Sequence, residues 1–106
     1  MTIAVLDATQ ITGWDSFHAE SARAFGFPDV YGRNMDAWID CLTDLDGGMS
    51  RFSLAFGETL TIEVRGARDF AARCPQIAAA LSEAIAAVNE RSREAGEPPR
   101  LALMLV

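Results

Sequence analysis

The chain closes on an unbroken apolar run, Leu101-Ala102-Leu103-Met104-Leu105-Val106. Such a run reads as a strand of the kind buried on both faces in a parallel sheet, and a strand of that kind needs helices on either side of it. The rest of the sequence supplies them. Residues 3–6 form a second short apolar strand, ended by Asp7. Leu60, Ile62 and Val64 alternate with polar residues and mark a third strand over residues 59–64. Between these runs the apolar period changes from two to that of a helix. Trp14, Phe17, Ser21 and Phe25 mark a first helix with Thr12 or Asp15 as its cap and Gly26 and Pro28 as its stop. Residues 67–74 form a short helix with Asp69 near its start, ended by Pro75. Residues 76–95 form a long alanine-rich helix, with Ile77, Leu81, Ile85 and Val88 on one face and Glu83, Glu90 and Glu94 opposite. Gly96 and Pro98-Pro99 end it. Strands separated by helices imply crossovers. The expectation is an α/β fold, a mostly parallel three-stranded sheet packed with helices, in a single domain over residues 1–106.

One segment adds to this plan. Phe52, Leu54 and Phe56 alternate ahead of Gly57-Glu58, and the third strand follows. Period-two runs on either side of a Gly-X pair suggest an extra β-hairpin arm at residues 52–64, closed by a type II′ turn. Its first arm reads as an edge strand or as an extended loop.

Half of the 106 residues are hydrophobic, so the chain is globular and long enough to bury one core. The net charge is −6. Residues 29–46 hold Asp29, Asp36, Asp40, Asp44 and Asp46 against Arg33, which is −4, leaving −2 for the remainder. That concentration argues against nucleic acid or an anionic membrane as a direct ligand and favours a basic partner. Cys41 and Cys74 do not make a disulfide framework and match no zinc spacing. His18, the one histidine, reads as structural or surface. The first seven residues lack the basic region of a signal peptide, and no apolar run approaches the roughly 18 residues of a spanning helix. A cytoplasmic protein with reduced thiols is expected.

The acids cluster in a loop that runs into a short helix, residues 27–46. Asn34 is placed as N-cap, and Met35, Trp38, Ile39, Leu42 and Leu45 follow at helical spacing as the buried stripe. Asp36, Asp40 and Asp44 lie four apart and stack on the solvent side. Asp36 complements the positive end of the helix dipole, whereas Asp44 and Asp46 sit at the unfavourable negative end. Like charges at this spacing destabilise by roughly 0.2–0.5 kcal/mol per pair. The segment therefore displays negative charge at a small cost in stability. The plain alternative is an ordinary solvated face.

Enzyme chemistry finds little here. There is no lysine for a phosphate loop, and an EF-hand begun at Asp44 would place Ala55 at its twelfth position. Cys41 or Cys74 with His18 has no nucleophile signature. The three aspartates would bind magnesium through waters or serve as paired carboxylates, but a convex helix face makes a poor enclosed site. No catalytic residue, metal or cofactor is assigned.

Pro28, Tyr31-Gly32, Asn34, Asp36-Ala37 and Asp40-Cys41-Leu42-Thr43 resemble the signature of the barstar family, intracellular protein inhibitors of barnase-type ribonucleases. The match is close over residues 17–45; elsewhere it rests on element order and hydrophobic pattern. The resemblance implies a barstar-like fold and a partner-binding face. In it Asp40 is the central aspartate that occupies a phosphate subsite, and Asp36 is a second acid that meets the enzyme's basic residues. Asn34 and Thr43 are polar contacts at the two helix ends. Tyr31 and Gly32 form the loop contact, with the tyrosine partly core, and Glu90 is a peripheral acid. Four positions depart from the family pattern. Val30 replaces an aromatic anchor, Ile39 a tryptophan, and Asp44 a glycine. Arg33 also stands where the family has an acid. Loss of two aromatics removes hot-spot area, which points to a nuclease toxin other than barnase.

Two readings follow. In the first, the chain is an antitoxin- or immunity-like inhibitor, monomeric when free, that plugs the active site of a basic ribonuclease with its acidic helix. In the second, it is a barstar-fold interaction module with a non-nuclease partner. A metal-dependent acidic-site enzyme is the remaining alternative. The first requires a row of carboxylates that faces outward and is not neutralised by the chain's own arginines.

Overall fold

The computed structural model describes residues 2–106, apart from the side chain of residue 46. The expectation that Asp46 adds charge to the acidic run thus concerns a side chain outside the described residues.

Strand β1 is Thr2–Asp7, β2 is Leu60–Arg65 and β3 is Leu101–Leu105. They form one sheet in the order β1-β2-β3, with both pairings parallel and Ala4, Ile62 and Leu103 in register across it. Alternation in β2 places Leu60, Ile62 and Val64 in the core, as the period-two pattern predicts, and β2 is the central strand. The closing apolar run behaves differently from expectation. It is not buried on both faces, because β3 is an edge strand. Only Leu101 is covered; Leu103 and Leu105 are exposed at 37% and 66%. Asn89 shields the start of this edge by bonding both backbone groups of Leu101, at 2.9 and 3.0 Å.

Four helices fill the connections: α1 Trp14–Phe25, α2 Met35–Thr43, α3 Ala67–Arg73 and α4 Pro75–Glu94. The cap of α1 is neither Thr12 nor Asp15. It is Gly13, and Ser16 reaches back from the third helical position to accept from the N–H groups of Gly13 and Thr12 at 3.0 and 2.8 Å. Gly26 ends α1 in the left-handed region at φ 69°, where Cβ is disfavoured. Glu20 is buried on α1 and accepts from the Asp7 N–H at 2.7 Å while pairing with Arg23 at 2.5 Å. This fixes the helix against the end of β1.

The segment before β2 is a loop. Residues 52–56 carry no ladder, so the β-hairpin arm does not form. Leu54 alone is buried there, and Phe56 stands 93% exposed at the tip of a turn closed by Glu58 N–H to Ala55 O at 3.0 Å. The positive φ falls on Gly57, the third residue of that turn, which excludes the II′ form. The core between sheet and helices is built from Leu6, Phe17, Phe25, Trp38, Leu42, Ile62 and Val88. Among the described residues no buried side-chain polar atom lacks a partner, and no helix is long and apolar enough to cross a membrane.

Candidate functional site

Asn34 begins α2 as expected. Its Oδ1 accepts from the Ala37 N–H at 2.8 Å, and its Nδ2 donates to Gly32 O at 3.3 Å, so one side chain caps the helix and holds the preceding loop. Arg33, just before it, sits at φ 52°, a conformation non-glycine residues adopt only under constraint. The Tyr31 N–H closes a turn onto Pro28 O at 2.9 Å. The Tyr31 ring turns inward. It packs on Phe27 at 4.6 Å between centroids, and its hydroxyl meets His18 Nδ1 at 2.6 Å. Burial pushes the phenol well above its ordinary range and pushes the His18 imidazole down. Tyr31 is thus a core residue with an edge on the surface.

The inner face of α2 is anchored by Trp38, fully buried, whose Nε1 donates to Ser21 Oγ at 3.2 Å and whose ring meets Phe25 edge-on. Cys41 and Leu42 complete that face, and Met35 and Ile39 pack against the core at its margin. Burial raises the Cys41 thiol, with the Asp40 charge adding to it, so the sulfur is held protonated and unreactive. His18 is committed to Tyr31.

With the apolar stripe turned in, Asp36 and Asp40 face solvent from α2, and Asp44 is exposed one residue past its last turn, as the C-cap. Among the described residues Asp36 and Asp44 have no ion pair. Asp40 has one that sequence reasoning missed: Arg91, on α4, donates from Nη1 to Asp40 Oδ1 at 2.9 Å and to Thr43 Oγ1 at 3.3 Å. Asp40 is 69% and Arg91 49% exposed. An exposed pair of this kind contributes about 0.2–1 kcal/mol, so the chain's own Arg91 offsets the charge of the central member of the row, Asp40, through a weak contact. The partners are 51 positions apart, and no local pattern signals their meeting.

The remaining residues divide by position. Val30 is 80% exposed and Gly32 is exposed; both border, with Ala37, Asp40, Asp44 and Arg91, an open depression of about 470 Å³. Thr43 is half-buried and donates to Ile39 O at 2.7 Å. Glu90 is exposed on α4 but turns to its own neighbour, Arg93, whose guanidinium holds its carboxyl below the usual range. It is the next residue, Arg91, that reaches α2. Among the described residues no group of three His, Cys, Asp or Glu side chains is placed to hold a metal ion.

The sequence pattern that defines the family described as Barstar (barnase inhibitor) matches residues 1–104. No curated protein matches the chain.

Proposed function

The chain belongs to the barstar (barnase inhibitor) family, and from that premise we propose that it inhibits a basic ribonuclease by plugging its active site with the carboxylates of α2. One observation carries the reading: Asp36, Asp40 and Asp44 are exposed together on a segment fixed from beneath by the buried Trp38 and capped by Asn34. A ribonuclease cleft is lined with cations that grip a polyanion. Carboxylates on a rigid helix take the place of phosphates there through charge-assisted, often bidentate bonds. Asp40, central in the row, occupies the deepest subsite, and Asp36 meets the surrounding cations. Asn34, Thr43, Gly32, Val30, Ile39, Asp44 and Glu90 frame the contact, with Tyr31 supporting the loop from within. The inhibitor carries out no chemistry, acts in the cytoplasm, and is a monomer until bound.

Val30 offers little area, so the cognate target is a nuclease toxin distinct from barnase. Titration against barnase and other small basic ribonucleases, followed by inhibition of RNA cleavage, tests the reading. One enzyme in the panel is expected to be inhibited at one-to-one stoichiometry. Asp40→Ala is then expected to lose about 2–5 kcal/mol of binding, because the enzyme's cations stay buried and unpaired. Equal binding by wild type and Asp40→Ala would remove Asp40 from the site. A partner bound without loss of its activity would favour the non-nuclease interaction module.

A further inference from the structure

The two edges of the sheet are protected unequally. On β1, Glu20 accepts from the Asp7 N–H at 2.7 Å and Arg23 donates to Val5 O at 3.1 Å. On β3, Asn89 bonds both backbone groups of Leu101 and reaches no further. The Leu60 N–H bonds Arg100 O and the Val106 N–H bonds Val64 O, so the even-numbered residues of β3 turn their backbone groups to β2 and the odd-numbered ones turn theirs outward. Among the described residues nothing meets the outward N–H and C=O groups of Leu103 and Leu105. We propose that this edge takes up an extended, acid-bearing peptide segment of a partner protein as a fourth strand.

Backbone, side chains and charge each bear on the occupant. The two open residues repeat at strand spacing along one side, and an extended backbone meets both. Residues 101–106 are apolar throughout, without the charge or proline that usually guards an edge. Leu103, Leu105 and Val106 are exposed, and with Phe70 and Leu81 they line an open apolar groove of about 440 Å³. Alternate apolar side chains of an added strand fall into that groove. Arg68 is the single charged residue on its border among the described residues; it is exposed and has no ion pair among them. It follows directly on the Gly66 and Ala67 N–H groups that hold Val106 O, at the far end of the edge. A carboxylate at that end of the peptide complements it. A second copy of this chain fits less well, because its own edge run holds no acid for Arg68.

The test titrates isotope-labelled protein with three short capped peptides of alternating valine and threonine. One has glutamate at both ends, one has glutamine at both ends, and one is the glutamate form with every internal amide N-methylated. The amides of Leu103 and Leu105 read the edge, and those of Asp36 and Asp40 read α2. The glutamate peptide is expected to shift the edge amides and slow their exchange while leaving α2 unmoved. The glutamine form should bind about two- to five-fold more weakly, the range an exposed ion pair supplies, and the methylated form should not bind. Arg68→Gln should erase the preference for glutamate. Leu105→Asp, at a position 66% exposed and so tolerant of the change, should abolish binding of both. An unresponsive edge, equal binding of the methylated peptide, or a glutamate preference that survives Arg68→Gln would overturn the proposal. So would protection of Leu103 and Leu105 that grows with protein concentration in the absence of peptide, which assigns the edge to a second copy. The groove has no lining residue on α2, so this outcome and that of the inhibition assay are independent.

Discussion

His18 Nδ1 and Tyr31 Oη lie 2.6 Å apart and join the first helix to the loop that introduces the acidic helix. The pair is buried, with Trp14 stacked on the imidazole and Phe17 edge-on to it. The loop is therefore tied to an imidazole whose neutral form burial favours.

That preference has a sign. The folded-state pKa of His18 is lowered from 6.5, first by burial and next by the charge of Arg33, with Asp15 opposing. The unfolded chain accordingly takes up the proton first as pH falls. Stability from this residue is complete above pH 6.5 and is lost as pH drops through the folded-state value. Urea unfolding between pH 7.5 and 5 should show stability declining with acid. His18→Gln should be less stable at pH 7.5 and lose most of the slope just below pH 6.5, since the chain has no second histidine. An unchanged slope would assign the acid sensitivity to carboxylates.

Asn34→Ala removes the cap of α2 and the loop contact to Gly32 together. The expected loss is about 1 kcal/mol, within the 0.5–2 range for such caps. For a domain of this size that lowers Tm by roughly 4–8 °C, readable by calorimetry. Asn34→Asp should restore most of it, because a carboxylate caps equally well.

Glu20→Ala strips the buried acceptor of the Asp7 N–H and releases Arg23. Leaving that N–H unsatisfied costs about 1–3 kcal/mol. Arg23→Ala should also destabilise, since it leaves a buried carboxylate uncompensated, and the two losses should not add. Chemical unfolding of the single and double variants measures the coupling.

Gly26→Ala forces a Cβ onto φ 69° and within 2.7 Å of Arg51 Cβ. Left-handed strain alone is about 1–2 kcal/mol. The displacement of Arg51, which donates to Ala24 O and covers the Phe52 ring, adds to it. A Tm drop larger than that of Asn34→Ala is expected, and accelerated amide exchange near Arg51 would locate the damage.

The contrast between these sites shows what a linear sequence carries. The helices and the α2 cap were legible because period and capping chemistry are local, and Trp38 declared itself core by its place on the apolar stripe. Apolarity at 101–106 marked a strand but not its rank in the sheet, since a central and an edge strand differ only in their neighbours. Alternation at Phe52, Leu54 and Phe56 had no second strand to pair with, so it became a loop that buries one residue and exposes another. On the candidate face, the outward placement of Asp36 and Asp40 followed from helical geometry. The Arg91 contact did not, because it is created by the packing of α4 on α2.

Trp38 lies sealed beneath the carboxylate row, in contact with Ser21 and Phe25, whereas Trp14 is half in water. The chain thereby contains its own optical gauge: the blue-shifted part of its indole emission comes from directly under the acidic surface. Any ligand, acid pulse or substitution that loosens the platform should redden and dim that component before the rest of the fold responds.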